Sequence, residues 1–216
     1  MPSRRVARKP SSSERVLVLA TANRAKGREM AQLLRGIPLR ILTLADCPGV
    51  TLPAEGEASY ADNALEKARA VARATGHLAL ADDSGIEVDA LGGGPGVRSA
   101  RYGGEGLSDP ERNALMLREL ESVPTARRTA RYRCVIALCS PEGREALAEG
   151  VVEGVLLEVP STGPGGFGYD PLFYYPPLRA TFADISAEAK HAVSHRGRAM
   201  ARAREILRAW APGAQS

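Results

Sequence analysis

Residues 78–91 read LALADDSGIEVDAL. Leu78–Ala81 is a short apolar run, and it predicts a buried strand. Ile86–Leu91 alternates and predicts a second strand. Between them stand Asp82, Asp83, Ser84 and Gly85. This joint has two readings. It is good turn chemistry. It also places two carboxylates where a buried strand ends, and burying like charges is costly unless a cation or donors compensate. A hard divalent cation that also takes substrate phosphate oxygens is a natural compensation.

On the N-terminal side, Ser59 and Asp62 resemble a capping box with Asp in place of Glu or Gln. They predict a helix to about Gly76, with Ala64, Leu65, Ala68 and Val71 inward. Earlier, Val16–Ala20 predicts a buried strand, Thr21–Asn23 a polar loop, Lys26–Arg35 a helix ended by Gly36, and Leu39–Leu42 a strand. On the C-terminal side, Gly92–Gly96 is a turn. Ser108, Pro110 and Glu111 start a helix that runs to about Leu120. Ala130–Cys139 and Arg144–Val159 predict strands paired antiparallel about Pro141–Gly143. Gly163–Pro177 reads as a rigid aromatic loop, and helical segments fill Ser186 to Trp210. Helices and strands alternate early and a long hairpin follows, so the expected class is α/β with a mixed sheet.

The 216 residues suit one large domain or two closely packed lobes. The pI is about 9.1. Arg4, Arg5, Arg8, Lys9 and Arg15 face Glu14 alone within residues 1–15, and their net +4 equals that of the whole chain. Residues 16–216 are therefore neutral, which counts against a nucleic-acid binder. The expected organisation is a disordered basic arm over 1–15, one domain over 16–210 and a disordered tail over 211–216. No apolar run is long enough to span a membrane. Three irregularly spaced cysteines, Cys47, Cys134 and Cys139, fit a reducing cytoplasm and small core residues.

Several side chains can carry chemistry. Thr21, Asn23 and Lys26 lie where a strand passes to a helix, and a helix N-terminus favours phosphate. The competing reading is an Asn N-cap with a solvated Lys. Glu55 can join Asp83 around a cation, and Lys67 can hold a carboxylate or phosphate; both can equally be surface charges. Phe167 and Tyr169 offer flat faces to a base and Asp170 an acceptor. Lys190, Ser194, His195 and Arg196 form a cationic cluster suited to a ligand rich in oxygens.

LATANRAKGREMAQLL, SYADNALEKARA, ALADDSGIEVDALGGGPGVRSARYGG, GPGGFGYDPLFYYP and SHRGRAM together resemble the inosine triphosphate pyrophosphatase family, also called dITP/XTP pyrophosphatases. They occur in the family's order and are spread between residues 17 and 200. The resemblance implies a two-lobed α/β fold with a long curved sheet flanked by helices, a cleft between the lobes, and a homodimer. It implies Mg²⁺-dependent hydrolysis of dITP, ITP and XTP to the monophosphate and pyrophosphate. Thr21, Asn23 and Lys26 match its triphosphate loop. Glu55 and Asp83 match its metal-binding acids, with Asp83 the acid/base. Lys67 and Asp82 match supporting catalytic positions, and Ser84 a substrate contact. Phe167, Gly168, Tyr169 and Asp170, with Lys190, His195 and Arg196, match the base and sugar pocket. Ala22 stands where Gly is frequent, Ala54-Glu55 where two acids are common, and His191 where Asn is common.

Two rival readings are a pyrophosphatase of pyrimidine or modified triphosphates and a nucleotide- or RNA-binding protein that does not hydrolyse. Clustered acids count against the latter, because a pure phosphate binder gains nothing from negative charge.

Overall fold

The computed structural model describes residues 15–210. The expected basic arm, apart from Arg15, and the expected tail lie outside the described residues. The elements are β1 (Val16–Leu19), α1 (Arg24–Leu33), β2 (Arg40–Thr43), α2 (Tyr60–Thr75), β3 (Leu78–Val88), α3 (Asp109–Glu119), β4 (Thr129–Cys139), β5 (Glu145–Leu156), β6 (Phe173–Tyr175), β7 (Ala180–Thr181), α4 (Ala187–Val193) and α5 (His195–Ala209). The strands form one mixed sheet in the order β2-β1-β3-β4-β5-β6-β7. β1 pairs parallel with β2 and β3, and every later pairing is antiparallel. The α/β class and mixed sheet follow the sequence.

The largest departure is at the quoted stretch. Asp82-Asp83-Ser84-Gly85 is not a turn. It continues β3, an 11-residue strand paired with β4 from Ala79 to Val88. The long partner strand supplies hydrogen bonds through the polar residues, which overrides their turn preference. The strand ends at Val88, and Asp89–Leu91 is a 3-10 turn rather than strand. Gly85 is demanded by packing: a Cβ there would lie 2.1 Å from the Gly96 carbonyl oxygen.

Other boundaries move for local reasons. α1 begins at Arg24, because the Asn23 side chain accepts from the amides of Ala25 and Lys26. The Ser108–Glu111 capping box forms as expected. The C-terminal helical segment splits at Ser194, which is extended, closes α4 and caps α5 by accepting from the Gly197 amide. The aromatic loop contains β6.

Alternation along β3 builds three cores. Leu80 packs with Leu17, Leu19, Ile136, Met30 of α1 and Met200 of α5. Ile86 and Val88 pack with Tyr132, Val152, Phe173 and Met116 of α3. On the opposite face, Ala79 and Ala81 meet Ala64, Ala68 and Val71 of α2. Asp82 and Ser84 therefore fall on the seam between the first two cores, while Asp83 follows Ala81 on the α2 face. β1 pairs with β3 only through Leu78–Leu80, so β3 runs on past its parallel neighbour. A crevice past the carboxyl end of a strand, where the connectivity changes direction, is where open α/β sheets bind ligands. No helix among the described residues is long and apolar enough to cross a membrane.

Candidate functional site

Two cavities meet at that crevice. The smaller, about 210 Å³, is lined by Thr21, Asn23, Lys26, Glu55, Lys67, Asp83 and Ser84, among others. The larger, about 280 Å³, is lined by Asn23, Lys26, Ser84, Phe167, Gly168, Tyr169, Asp170, Lys190, His195 and Arg196, among others. Asn23, Lys26 and Ser84 border both, so the two form one continuous cleft. Of the candidate site residues singled out in the sequence, Asp82 and Ser194 line neither.

The smaller cavity is organised by α2. Lys67 is buried and its Nζ donates to Glu55 Oε1 at 2.6 Å and to the Asp82 carbonyl at 2.8 Å, with Asp83 Oδ1 at 3.9 Å. The carboxylates of Glu55 and Asp83, from segments far apart in sequence, thus converge on one nitrogen. Burial pushes the Asp83 pKa up, against the opposing pull of Lys67 and Asn63. Burial acts the same way on Glu55, yet its net shift is down, because Lys67 bonds to it directly. The closer contact explains why one shared lysine leaves the two acids displaced in opposite directions. Mg²⁺ takes one or two carboxylates from a protein and completes its shell with water and phosphate. A pair of acids on one cavity wall fits that demand. Among the described residues, no group of three or more His, Cys, Asp or Glu forms a closed cage.

On the opposite face of β3, Asp82 is 1% exposed. Its Oδ2 accepts from Arg196 Nη2 at 3.0 Å and Nε at 3.3 Å, and lies 3.3 Å from Lys26 Nζ. Burial works against its charge, but Lys26, Arg196 and Lys67 outweigh it and hold the carboxyl far below the usual range. The sequence paired Asp82 with Asp83 in one site; strand alternation separates them, and Asp82 is the buried anchor of two cations. Arg196 also donates to Ser84 Oγ at 2.9 Å and to Glu29 Oε2 at 2.7 Å. Most of its guanidinium is therefore committed to protein partners.

The larger cavity has an aromatic and cationic lining. Lys190 Nζ stands 4.7 Å from the centre of the Phe167 ring and donates to Asp170 Oδ2 at 2.6 Å and Glu29 Oε1 at 3.0 Å. Asp170 also accepts from the Phe167 amide at 2.8 Å and the Tyr132 hydroxyl at 3.3 Å. Asp170, expected as an acceptor for a ligand, is instead taken up in shaping its own loop. Tyr169 is 5% exposed and donates to the Ser99 carbonyl at 2.8 Å. His195 stacks on Tyr132 with ring centroids 4.6 Å apart, and its Nδ1 is buried without a partner. Burial, together with Arg196 and Lys190, pushes its pKa well down, so the imidazole is neutral at neutral pH.

The sequence did not single out Glu29, Arg101 or Asn63. Glu29 lies three residues after Lys26 on α1, which one helical turn makes a shared face. Arg101 donates to the Glu55 carbonyl at 2.9 Å. Asn63 donates to Asp83 Oδ2 at 2.9 Å. The spacing of Asn63 from Lys67 was visible in the chain; its contact with a strand 20 residues away was not.

The chain is similar to known proteins in both sequence and fold. The chain is 52% identical over 191 residues to the dITP/XTP pyrophosphatase of Desulforamulus reducens, covering 88% of this chain and 94% of that one. It is 49% identical to the dITP/XTP pyrophosphatase of Thermus thermophilus, covering 91% and 92%. Among solved structures it is similar to a HAM1 protein from Coxiella burnetii, with TM-score 0.81, 38% identity and 89% and 98% coverage. The Ham1 protein of Staphylococcus aureus gives a TM-score of 0.78 at 34% identity, with 89% and 98% coverage. The Ham1 family profile matches residues 17–206, which take in all but the first residue of the sheet together with the cleft, and the chain belongs to the Ham1 family.

Proposed function

We propose that this protein hydrolyses non-standard purine nucleoside triphosphates (dITP, ITP and XTP) to the monophosphate and pyrophosphate, and so cleanses the nucleotide pool. The observation that carries this reading is the continuous cleft: an acid-and-lysine cavity joined through Lys26 and Ser84 to an aromatic, cationic one. The first has the chemistry for a triphosphate, the second for an oxygen-bearing base. The proteins of similar sequence carry the name dITP/XTP pyrophosphatase.

Water attacks the α-phosphorus, the bond from the α-phosphorus to the bridging oxygen breaks, and pyrophosphate leaves. Asp83, whose burial raises its proton affinity, accepts the proton of the attacking water. Glu55 and Asp83 are the residues that would hold Mg²⁺, which would supply Lewis acidity there. Lys67 and Lys26 offset charge developing on the leaving pyrophosphate. Thr21 and Asn23, at the start of α1, position the phosphate tail together with Lys26. Asp82 holds Lys26 and Arg196 in place and does not touch the reacting atoms.

The base lies against Phe167, bounded by Gly168 and Tyr169. Lys190, the neutral His195 and the remaining Arg196 donor meet the 6-oxo group. Adenine presents an amino donor there, and a buried donor left unmatched is costly. Asp170 acts through Lys190. Residues 16–210 work as a single two-lobed unit, with the cleft between the lobes, as a cytoplasmic homodimer that needs neither a membrane nor a specific nucleic acid. The three free cysteines accord with that compartment.

The test is a triphosphate panel assayed for pyrophosphate and monophosphate. dITP, ITP and XTP should turn over at least about tenfold faster than dATP, dTTP and dUTP, a discrimination of the size polar recognition supports. Equal turnover of dTTP would overturn the purine reading. Activity undiminished by excess EDTA would remove Mg²⁺ from it.

A further inference from the structure

Asn63 is 3% exposed and uses both ends of its amide. Oδ1 accepts from the Gly56 amide at 2.8 Å. Nδ2 donates to the Gly56 carbonyl at 3.2 Å and to Asp83 Oδ2 at 2.9 Å. One side chain thus ties the residue next to Glu55 to the carboxylate of Asp83. Lys67, four residues on along the same face of α2, spans the same two segments through Glu55 Oε1 and Asp83 Oδ1. The two braces differ in charge. The Lys67 ammonium competes with any cation for those oxygens, whereas the Asn63 amide is neutral and its donor occupies the other oxygen of Asp83.

We propose that Asn63 is a positioning residue that fixes the separation of the Glu55 and Asp83 carboxylates, presetting them for a divalent cation, while Lys67 opposes that cation. This rests on the assignment of Glu55 and Asp83 as the cation ligands. Groups that orient metal ligands affect affinity by about 10–100-fold when removed, and the three hydrogen bonds of Asn63 put it in that position.

The experiment is a Mn²⁺ titration of the substrate-free, full-length protein, read from the electron paramagnetic resonance signal of free Mn²⁺. Each variant is titrated well below its own melting temperature. Asn63→Ala should weaken Mn²⁺ binding about tenfold or more. Asn63→Leu, which keeps most of the volume and loses all three bonds, should do the same. Lys67→Met should bind Mn²⁺ more tightly than the unaltered protein. Asp83→Asn is the reference and should lose the site. If Asp83→Asn binds normally, the ligand assignment itself is wrong and the proposal goes with it. If Asp83→Asn loses the site while both Asn63 variants, folded, keep the original affinity, the ligands stand and the positioning role is overturned. A fall in affinity on removing the Lys67 charge would refute the division of labour between the two braces.

Discussion

Asp82 and Asp83 are adjacent, identical in chemistry and equally buried to the eye, at 1% and 3% exposure, yet the fold gives them opposite tasks. Asp82 points onto the seam between two cores, where Lys26 and Arg196 hold it ionised well below the usual carboxylate range. Asp83 points the other way, into a cavity wall, where burial raises its proton affinity and one neutral amide steadies it. A strand turns each successive side chain through half a revolution. The same carboxylate therefore clamps two cations on one face and, in the proposed mechanism, accepts a proton on the other. The pair of acids is less a doubled site than two sites back to back.

Exchanging each acid for its amide should separate the two roles. Asp83→Asn has the largest expected effect: pyrophosphate release from dITP should fall about 10²–10⁴-fold, the usual contribution of a general base. Its melting temperature should stay close to that of the unaltered protein. A variant that retains activity within tenfold would dissolve the comparison from the reactive side. Asp82→Asn should do the reverse. Leaving Arg196 and Lys26 without their counter-charge costs about 3–5 kcal/mol, the range for breaking a buried ion pair, measured by urea unfolding.

The pH dependence of stability, taken without metal, sharpens the contrast because the two signs are opposed. The Asp82 pKa is depressed from 3.8, so its stabilisation is complete above that value and is lost as pH falls toward the depressed one. The Asp83 pKa is raised from 3.8, so its ionisation costs stability: the cost is absent below 3.8 and sets in as pH rises through the raised value. Asp82→Asn should flatten the acid limb of the curve, and Asp83→Asn should leave neutral-pH stability equal or slightly higher. Parallel curves for the two variants would contradict the separation. The smallest effect belongs to Ser84→Ala. Its hydroxyl donates to Asp82 Oδ2 at 3.3 Å and accepts from Arg196, and losing it should cost about 1 kcal/mol in unfolding free energy.

The residues show unevenly how much could be read without a fold. Asn23 announced its cap and Ser108–Glu111 its box, because those signals are satisfied within a few residues. The Asp-Asp-Ser-Gly joint carries turn chemistry yet is strand, because local preference cannot register an 11-residue partner strand. Asp170 looked like a free acceptor until Lys190, Tyr132 and the Phe167 amide were found on it. Asn63 and Glu29 show only a helical spacing from Lys67 and Lys26, since their partners lie on distant segments.

The chain by itself determined the α/β class, the order of its motifs and the residue types that can bind phosphate, cation and base, because periodicity, caps and side-chain chemistry are local properties. Only the tertiary structure decided which acid faces the cavity and which one anchors Lys26 and Arg196. That choice depends on which face of β3 each side chain takes and on what α2, α1 and α5 place against it, and charges far apart in sequence set it through burial and pairing.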